Sequence, residues 1–182
     1  MHGPAGGPVR VVTTRLGVLG VLAVDSMKTL IELGKKVDEL ARAVIGAAIE
    51  VHRQLGPGFL EGIYEEALCL ELADAGISFE RQKEIGVAYK ARMVGKHRLD
   101  LLVGGQLVVE LKTVEELADI HKAQVISYLK TTRLQLGLLN NFNVPMLRNG
   151  IQRVVYTNDS DAMASGAPDN KAELGVLGVL AV

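Results

Sequence analysis

HRLDLLVGGQLVVELKT, residues 97–113, consists of two apolar, β-prone runs around the loop at residues 104–106, which reads Gly-Gly-Gln. This composition favours a tight β-hairpin. A three-residue loop places Asp100 across from Glu110, so that their side chains share one face with Cβ atoms about 5 Å apart. Lys112 is two residues past Glu110 and falls on the same face. A two-residue loop would send the two carboxylates to opposite faces. The spacing therefore predicts two convergent carboxylates beside a lysine.

Two carboxylates among leucines and valines repel each other and lose hydration, and a hard divalent cation offsets both effects. Mg²⁺ is usually held by one or two carboxylates, with substrate phosphate and water completing its shell. Asp100 and Glu110 are thus candidate ligands, and Lys112 would orient water or neutralise developing charge. The alternative is an edge hairpin with a surface Asp and a Glu/Lys pair.

Separate motifs along the chain resemble one family. GFLEGIY at residues 58–64 matches the signature of the GxxExxY proteins, a largely bacterial group similar to the PD-(D/E)XK nuclease superfamily. The resemblance runs from about residue 37 to residue 156. Its other parts are VHRQLGP at 51–57, VELK at 109–112, Gln124, YLK at 128–130 and LNNF at 139–142.

The resemblance implies a restriction-endonuclease-like α/β (α+β) fold, with a central mixed sheet flanked by helices. It implies a Mg²⁺ or Mn²⁺ site at Asp100 and Glu110, with Lys112 completing the core. Glu61 resembles the additional acidic residue that many members place near the metal. Gln124 and Tyr128 resemble the QxxxY element of one large branch of these nucleases. The chain departs from the pattern at Leu99, where a proline often precedes the aspartate.

These residues also have simpler interpretations. Glu61 in the first turn of a helix is a favourable charge at the positive end of the helix dipole. Gln124 and Tyr128 lie four residues apart, in a polar stripe that is either a solvent-facing edge or a source of hydrogen bonds to phosphate or a carboxylate. For His52 we expect a structural hydrogen bond, and His121 is a minor candidate for phosphate contact.

Apolar periodicity and turn residues predict the order of the remaining elements. We expect one globular domain at residues 27–157, an N-terminal extension at 1–26 and a flexible C-terminal tail at 158–182. The predicted helices cover residues 37–55, 60–75 and 116–132, and the predicted strands outside the hairpin cover residues 77–82, 85–89, 134–140 and 151–156.

Charge is unevenly distributed in this chain of 182 residues, whose net charge is −1. Residues 81–98 contain six Lys or Arg against one acid, which would suit a phosphate backbone or form an ordinary solvated strand face. The single cysteine, Cys69, falls in an apolar helix pattern and predicts a reduced core residue in the cytoplasm.

The two ends share one segment, LGVLGVLAV, at residues 16–24 and 174–182. Its period of three fits neither helix nor strand, and it is too short to span a membrane. We favour translation of a short nucleotide repeat, with Met27 as the true start. The alternatives are docking peptides or two strands that pair with each other. A signal peptide is disfavoured by the second copy and by the lack of a clear cleavage site.

Two functions are consistent with these patterns. One is a divalent-metal-dependent nuclease that hydrolyses phosphodiester bonds, with nucleic acid, DNA rather than RNA, as its partner and no membrane association. The other is a non-catalytic nucleic-acid-binding or assembly module that retains the nuclease fold.

Overall fold

The computed structural model describes the backbone of residues 16–157 and the side chains of residues 34–157. The chain divides into two compact units between Lys36 and Val37, and all the elements discussed below belong to the second unit, apart from the first part of helix α1. The elements in chain order are α1 (Leu16–Leu55), α2 (Glu61–Asp74), β1 (Phe79–Tyr89), β2 (Arg92–Val103), β3 (Leu107–Lys112), α3 (Asp119–Thr132), β4 (Leu136–Asn141), a 3₁₀ turn (Leu147–Gly150) and β5 (Ile151–Val155).

The five strands form one mixed sheet in the order β1-β2-β3-β4-β5. Three of the four neighbouring pairs, β1 with β2, β2 with β3 and β4 with β5, are antiparallel, but β3 and β4 run parallel and are connected through α3. A parallel pair needs such a crossover because a short turn can only reverse the chain. The predicted mixed sheet flanked by helices is confirmed.

Apolar side chains cover both faces of the sheet. On one face, α1 from Ala41 onward and α2 pack against inward residues of β2, β3 and β4. On the other face, Val125, Tyr128 and Leu129 of α3 pack against a second set of strand residues. Each face of the sheet is therefore buried by helix, which gives three layers.

Three predicted boundaries differ from the structure. The sequence predicts two strands between residues 77 and 89, whereas β1 is one strand, which bends at Gln82 with a φ of +50°. Helix α3 begins at Asp119, three residues later than predicted. Helix α1 begins at Leu16, so the first LGVLGVLAV copy is helical although its period of three does not predict a helix.

The second LGVLGVLAV copy and residues 1–15 lie outside the described residues, and the domain limits at residues 26 and 157 stay predictions. Within the described part of the chain, no helix combines the length and apolar composition that a membrane span requires.

Candidate active site

The hairpin between β2 and β3 has the predicted register. Val103 pairs with Leu107 and Leu101 pairs with Val109, where the ladder ends. Asp100 is the next residue of β2, and its carboxylate contacts Leu111, the neighbour of Glu110 on β3. Two glycines make the turn possible, because residues 104 and 105 have φ values of +57° and +66°, which are easily adopted only without a Cβ. The loop is therefore three residues long, as the spacing of the two acids requires.

Asp100, Glu110 and Lys112 form a buried polar cluster at the end of this hairpin. The Asp100 carboxylate accepts a hydrogen bond of 2.8 Å from the backbone N–H of Leu111. Lys112 Nζ lies 2.6 Å from Glu110 Oε1 and donates a second bond of 2.9 Å to the Leu111 carbonyl. Glu110 is 2% exposed, and its Oε2 atom has no hydrogen-bond partner.

The electrostatics of the cluster favour an additional positive charge. Burial raises the pKa of Asp100, and burial together with the neighbouring Asp100 charge raises the pKa of Glu110 to about 7. Burial opposes the charge on Lys112, but its hydrogen bond to Glu110 and the nearby acids raise its pKa overall. Lys112 thus stays protonated at neutral pH, and the two carboxylates repel each other once the pH rises above the Glu110 pKa of about 7. The unpartnered Oε2 of Glu110 beside a second carboxylate fits a hard cation such as Mg²⁺.

Glu61 is the first residue of α2 and approaches the cluster from the helix side. Burial raises its pKa, Lys112 lowers it and Asp100 raises it, so its carboxylate lies within the field of both groups. Among residues 34–157, however, no three His, Cys, Asp or Glu side chains are arranged to hold one metal ion. The structure brings Asp100 and Glu110 together, and Glu61 as a third ligand stays a prediction.

Gln124 and Tyr128 approach the cluster from α3. Gln124 Nε2 donates a hydrogen bond of 2.5 Å to Tyr128 Oη. Tyr128 is only 3% exposed, and its ring lies edge-on to His97 at 5.2 Å between centroids. Burial raises the pKa of Tyr128, and the Glu110 and Asp100 carboxylates add to that rise. The interpretation of this stripe as a solvent-facing edge is therefore wrong for Tyr128.

Sequence reasoning missed a second polar group, centred on the buried Glu65 of α2. Arg81 pairs with both Glu65 and Glu66. Gln82 donates a hydrogen bond of 2.6 Å to Glu65 Oε2. The charge of Glu65 contributes to the raised pKa of Asp100. The spacing of Glu61 and Glu65 could have indicated that Glu65 lies near the site, because residues four apart share a helix face.

Three other side chains noted in the sequence make hydrogen bonds to the backbone. His52 Nε2 donates to the Val144 carbonyl at 2.8 Å, which confirms its predicted structural hydrogen bond. His121 Nδ1 accepts a 3.1 Å hydrogen bond from the backbone N–H of Ala118 at the start of α3. Tyr64, the last residue of the GxxExxY signature, donates a 2.6 Å hydrogen bond to the Gly56 carbonyl.

Comparison with known families agrees with this geometry. The sequence profile of the PD-(D/E)XK nuclease superfamily matches residues 38–154. The matched range begins in α1 and ends in β5, so it includes every strand and all the residues of the cluster. A search of curated proteins gave no match to the chain.

Proposed function

Because the chain belongs to the PD-(D/E)XK nuclease superfamily, we propose that its Asp100, Glu110 and Lys112 cluster hydrolyses phosphodiester bonds of nucleic acid with a divalent cation. The observation that carries this proposal is the buried, unpartnered Oε2 atom of Glu110 beside Asp100. A carboxylate pair of this kind is costly without a cation, because burial and like charge both oppose ionisation.

Each residue has a distinct part in this proposal. Asp100 and Glu110 hold Mg²⁺ or Mn²⁺, which supplies Lewis-acid activation of water and phosphate when bound. Lys112 carries a positive charge at neutral pH, so it neutralises charge that develops on the phosphate and does not serve as a general base. The Leu111 N–H fixes the orientation of the Asp100 carboxylate.

Two further elements act around this centre. Glu61 on α2 is an auxiliary acid that can accept a proton or a hydrogen bond from water. Gln124 fixes the Tyr128 hydroxyl through their 2.5 Å bond, so the pair can present one hydroxyl and one amide to phosphate. We propose the cytoplasm as the location, since Cys69 is buried and has no disulfide partner.

The test is cleavage of labelled single- and double-stranded DNA and RNA by the full chain in Mg²⁺, in Mn²⁺ and in excess chelator. Asp100→Asn and Lys112→Met should each lower the rate by about 100-fold or more, as losses of transition-state stabilisation do. Glu80→Gln is the matched control, because this exposed acid pairs only with Lys83. Equal rates for wild type, control and both site variants would exclude the proposed chemistry.

A non-catalytic nucleic-acid-binding or assembly module is the second candidate. It is favoured by the finding that, within residues 34–157, no third His, Cys, Asp or Glu side chain joins Asp100 and Glu110 in a metal-binding arrangement. In that case the chain binds nucleic acid without cleaving it, and calorimetry with Mn²⁺ gives no signal that depends on Asp100 or Glu110. The nuclease proposal predicts such a signal and its loss in Glu110→Gln.

A further inference from the structure

The hairpin of β1 and β2 extends beyond the rest of the sheet. Strand β2 pairs with β3 only from Leu101 to Val103, whereas it pairs with β1 back to Arg92. Residues 83–98 therefore form a two-stranded ribbon, here called the distal ribbon. Its tip at Ala91 lies nine residues from Asp100, or about 30 Å at roughly 3.3 Å per residue.

The tip of the distal ribbon presents cations and apolar side chains to solvent. Tyr89 to Arg98 contains four Lys or Arg and no acid, in a chain whose net charge is −1. Tyr89 is 63% exposed, Met93 69% and Val94 61%. A shallow concavity is lined by Tyr89, Lys90, Arg92 and Val94.

The two tip cations have no carboxylate partner in the described part of the chain. Neither Lys90 nor Arg92 takes part in an ion pair among the described residues. Lys90 Nζ lies over the Tyr89 ring, 5.4 Å from its centroid. Lys90 and Ala91 form the turn with φ values of +46° and +60°, a conformation that usually selects Asn or Gly.

The distal ribbon continues strand β2, which carries Asp100 of the active site. Ile85 of β1 packs in the core cluster that contains Tyr128, and Tyr89 lies four residues further along β1, beyond an irregularity of the ladder between Val87 and Ala88. Arg92 is the cross-strand partner of Tyr89 and shares its face of the ribbon. Because the ribbon continues the strand that carries Asp100, a duplex bound at Asp100 and Lys112 can extend along the ribbon to its tip.

We propose that the distal ribbon is a duplex-DNA-binding arm, in which Lys90 and Arg92 contact phosphates about nine base pairs from the phosphate at Asp100 and Glu110. The charge of the tip is complementary to a phosphate backbone. The major groove of B-form DNA admits a two-stranded ribbon, whereas the major groove of A-form RNA is deep and narrow. Tyr89 and Val94 supply apolar surface for base edges. This inference rests on the proposed function for the identity of the site, but binding by the arm does not require cleavage.

The experiment measures binding of the full chain to labelled duplexes in excess chelator by fluorescence anisotropy, over a range of salt concentrations. Lys90→Ala with Arg92→Ala should weaken binding to a duplex of about 20 base pairs roughly tenfold per lost contact near 0.1 M salt, and should reduce the salt slope by about 1.8. Arg42→Ala with Arg148→Ala removes two exposed cations elsewhere and should change neither quantity. Circular dichroism checks that both double variants are folded.

The length and the type of the nucleic acid provide two further tests. A duplex of about six base pairs cannot span the distance, so wild type and the Lys90/Arg92 double variant should bind it equally. Tyr89→Ala should weaken binding to the long duplex without changing the salt slope. The proposal is overturned if wild type has no measurable affinity for duplex DNA, if the Lys90/Arg92 variant binds the long duplex as wild type does, or if it loses as much affinity for double-stranded RNA or single-stranded DNA.

The outcomes also separate this proposal from the nuclease activity. If the Lys90/Arg92 variant loses affinity for duplex DNA while wild type never cleaves in Mg²⁺, the arm is supported and the nuclease reaction is excluded. If wild type cleaves while the variant binds and cleaves equally well, the arm is excluded and the reaction is supported.

Discussion

Replacement of Glu110 by glutamine should remove a pH-dependent decrease in the free energy of unfolding of the metal-free protein. Burial and the Asp100 charge raise the pKa of Glu110 from its ordinary value of 4.5 to about 7 in the folded protein. The folded state therefore holds this proton more tightly than the unfolded state between these values. The stability that protonated Glu110 contributes is fully present below about pH 4.5 and is lost as pH rises through about pH 7.

The magnitude follows from the difference between the two pKa values. At about 1.4 kcal/mol per pH unit, this difference amounts to about 3 kcal/mol, and most of it falls between pH 5 and pH 8. Glutamine has the same shape, can donate to Asp100 and does not titrate. Glu110→Gln should therefore lose about 2–3 kcal/mol less than wild type between these two pH values.

The assay is urea unfolding near pH 5 and near pH 8 in excess chelator, with Glu80→Gln as an exposed-acid control that should follow wild type. Addition of Mg²⁺ or Mn²⁺ at about 100 times its dissociation constant should restore roughly 2.7 kcal/mol to wild type near pH 8, and none to Glu110→Gln. Equal losses of stability between pH 5 and pH 8 in wild type and Glu110→Gln would refute the inference that two mutually repelling carboxylates lie in this core.

Three other variants test single contacts, each by urea unfolding. Tyr64→Phe should cost about 1 kcal/mol because it removes the hydrogen bond that the buried Tyr64 donates to the Gly56 carbonyl, while cleavage by the folded protein should be unchanged. Asn140→Leu should stabilise by about 1–3 kcal/mol, since both amide atoms of Asn140 are buried and unpartnered; a loss of stability would reveal a hydrogen-bonded water or ligand there. Ala91→Gly should raise stability by up to about 1 kcal/mol by relieving the left-handed turn, and a decrease would contradict the assigned φ of +60°.

The hairpin could be predicted because its determinants are local. The Gly-Gly-Gln loop and the period of two fix which residues of β2 and β3 lie opposite each other, and the structure has that register. The crossover through α3 follows from alternating helix and strand patterns, so the mixed sheet could also be predicted from the sequence. The burial of Tyr128 could not be predicted, because a polar helix stripe with Gln124 and His121 has the same pattern whether it faces water or packs against the sheet.

The polar group around Glu65 depends on partners that lie far from it in sequence, which the spacing of Glu61 and Glu65 on α2 does not identify. Arg81 reaches back to α2 across 16 residues of sequence, and Gln82 across 17. The left-handed backbone at Gln82 lies inside β1, where a glutamine gives no sign of a positive φ. For the same reason the sequence divides β1 into two strands near this residue, although the ladder with β2 continues on both sides.

The bend at Gln82 lies opposite Asp100, between the pairs Arg81 with Leu101 and Lys83 with Leu99. Regular alternation would place Leu99 and Leu101 on one face of the sheet, yet Leu99 packs in the core beneath α3 and Leu101 in the core beneath α1 and α2. The alternation therefore reverses at Asp100 itself.

This reversal explains how one carboxylate is coupled to both helical layers. The charge of Glu65 on α2 raises the pKa of Asp100, and the charge of Asp100 in turn raises the pKa of Tyr128 on α3. A residue on a regular strand would point into one layer and be shielded from the other by the sheet. At the reversal point, Asp100 instead accepts the Leu111 N–H within the sheet, and its charge acts on Glu61 of α2 and on Tyr128 of α3. The irregular backbone at Gln82 lies opposite this point, where both helices contribute to a cluster that the hairpin alone supplies with only two carboxylates and a lysine.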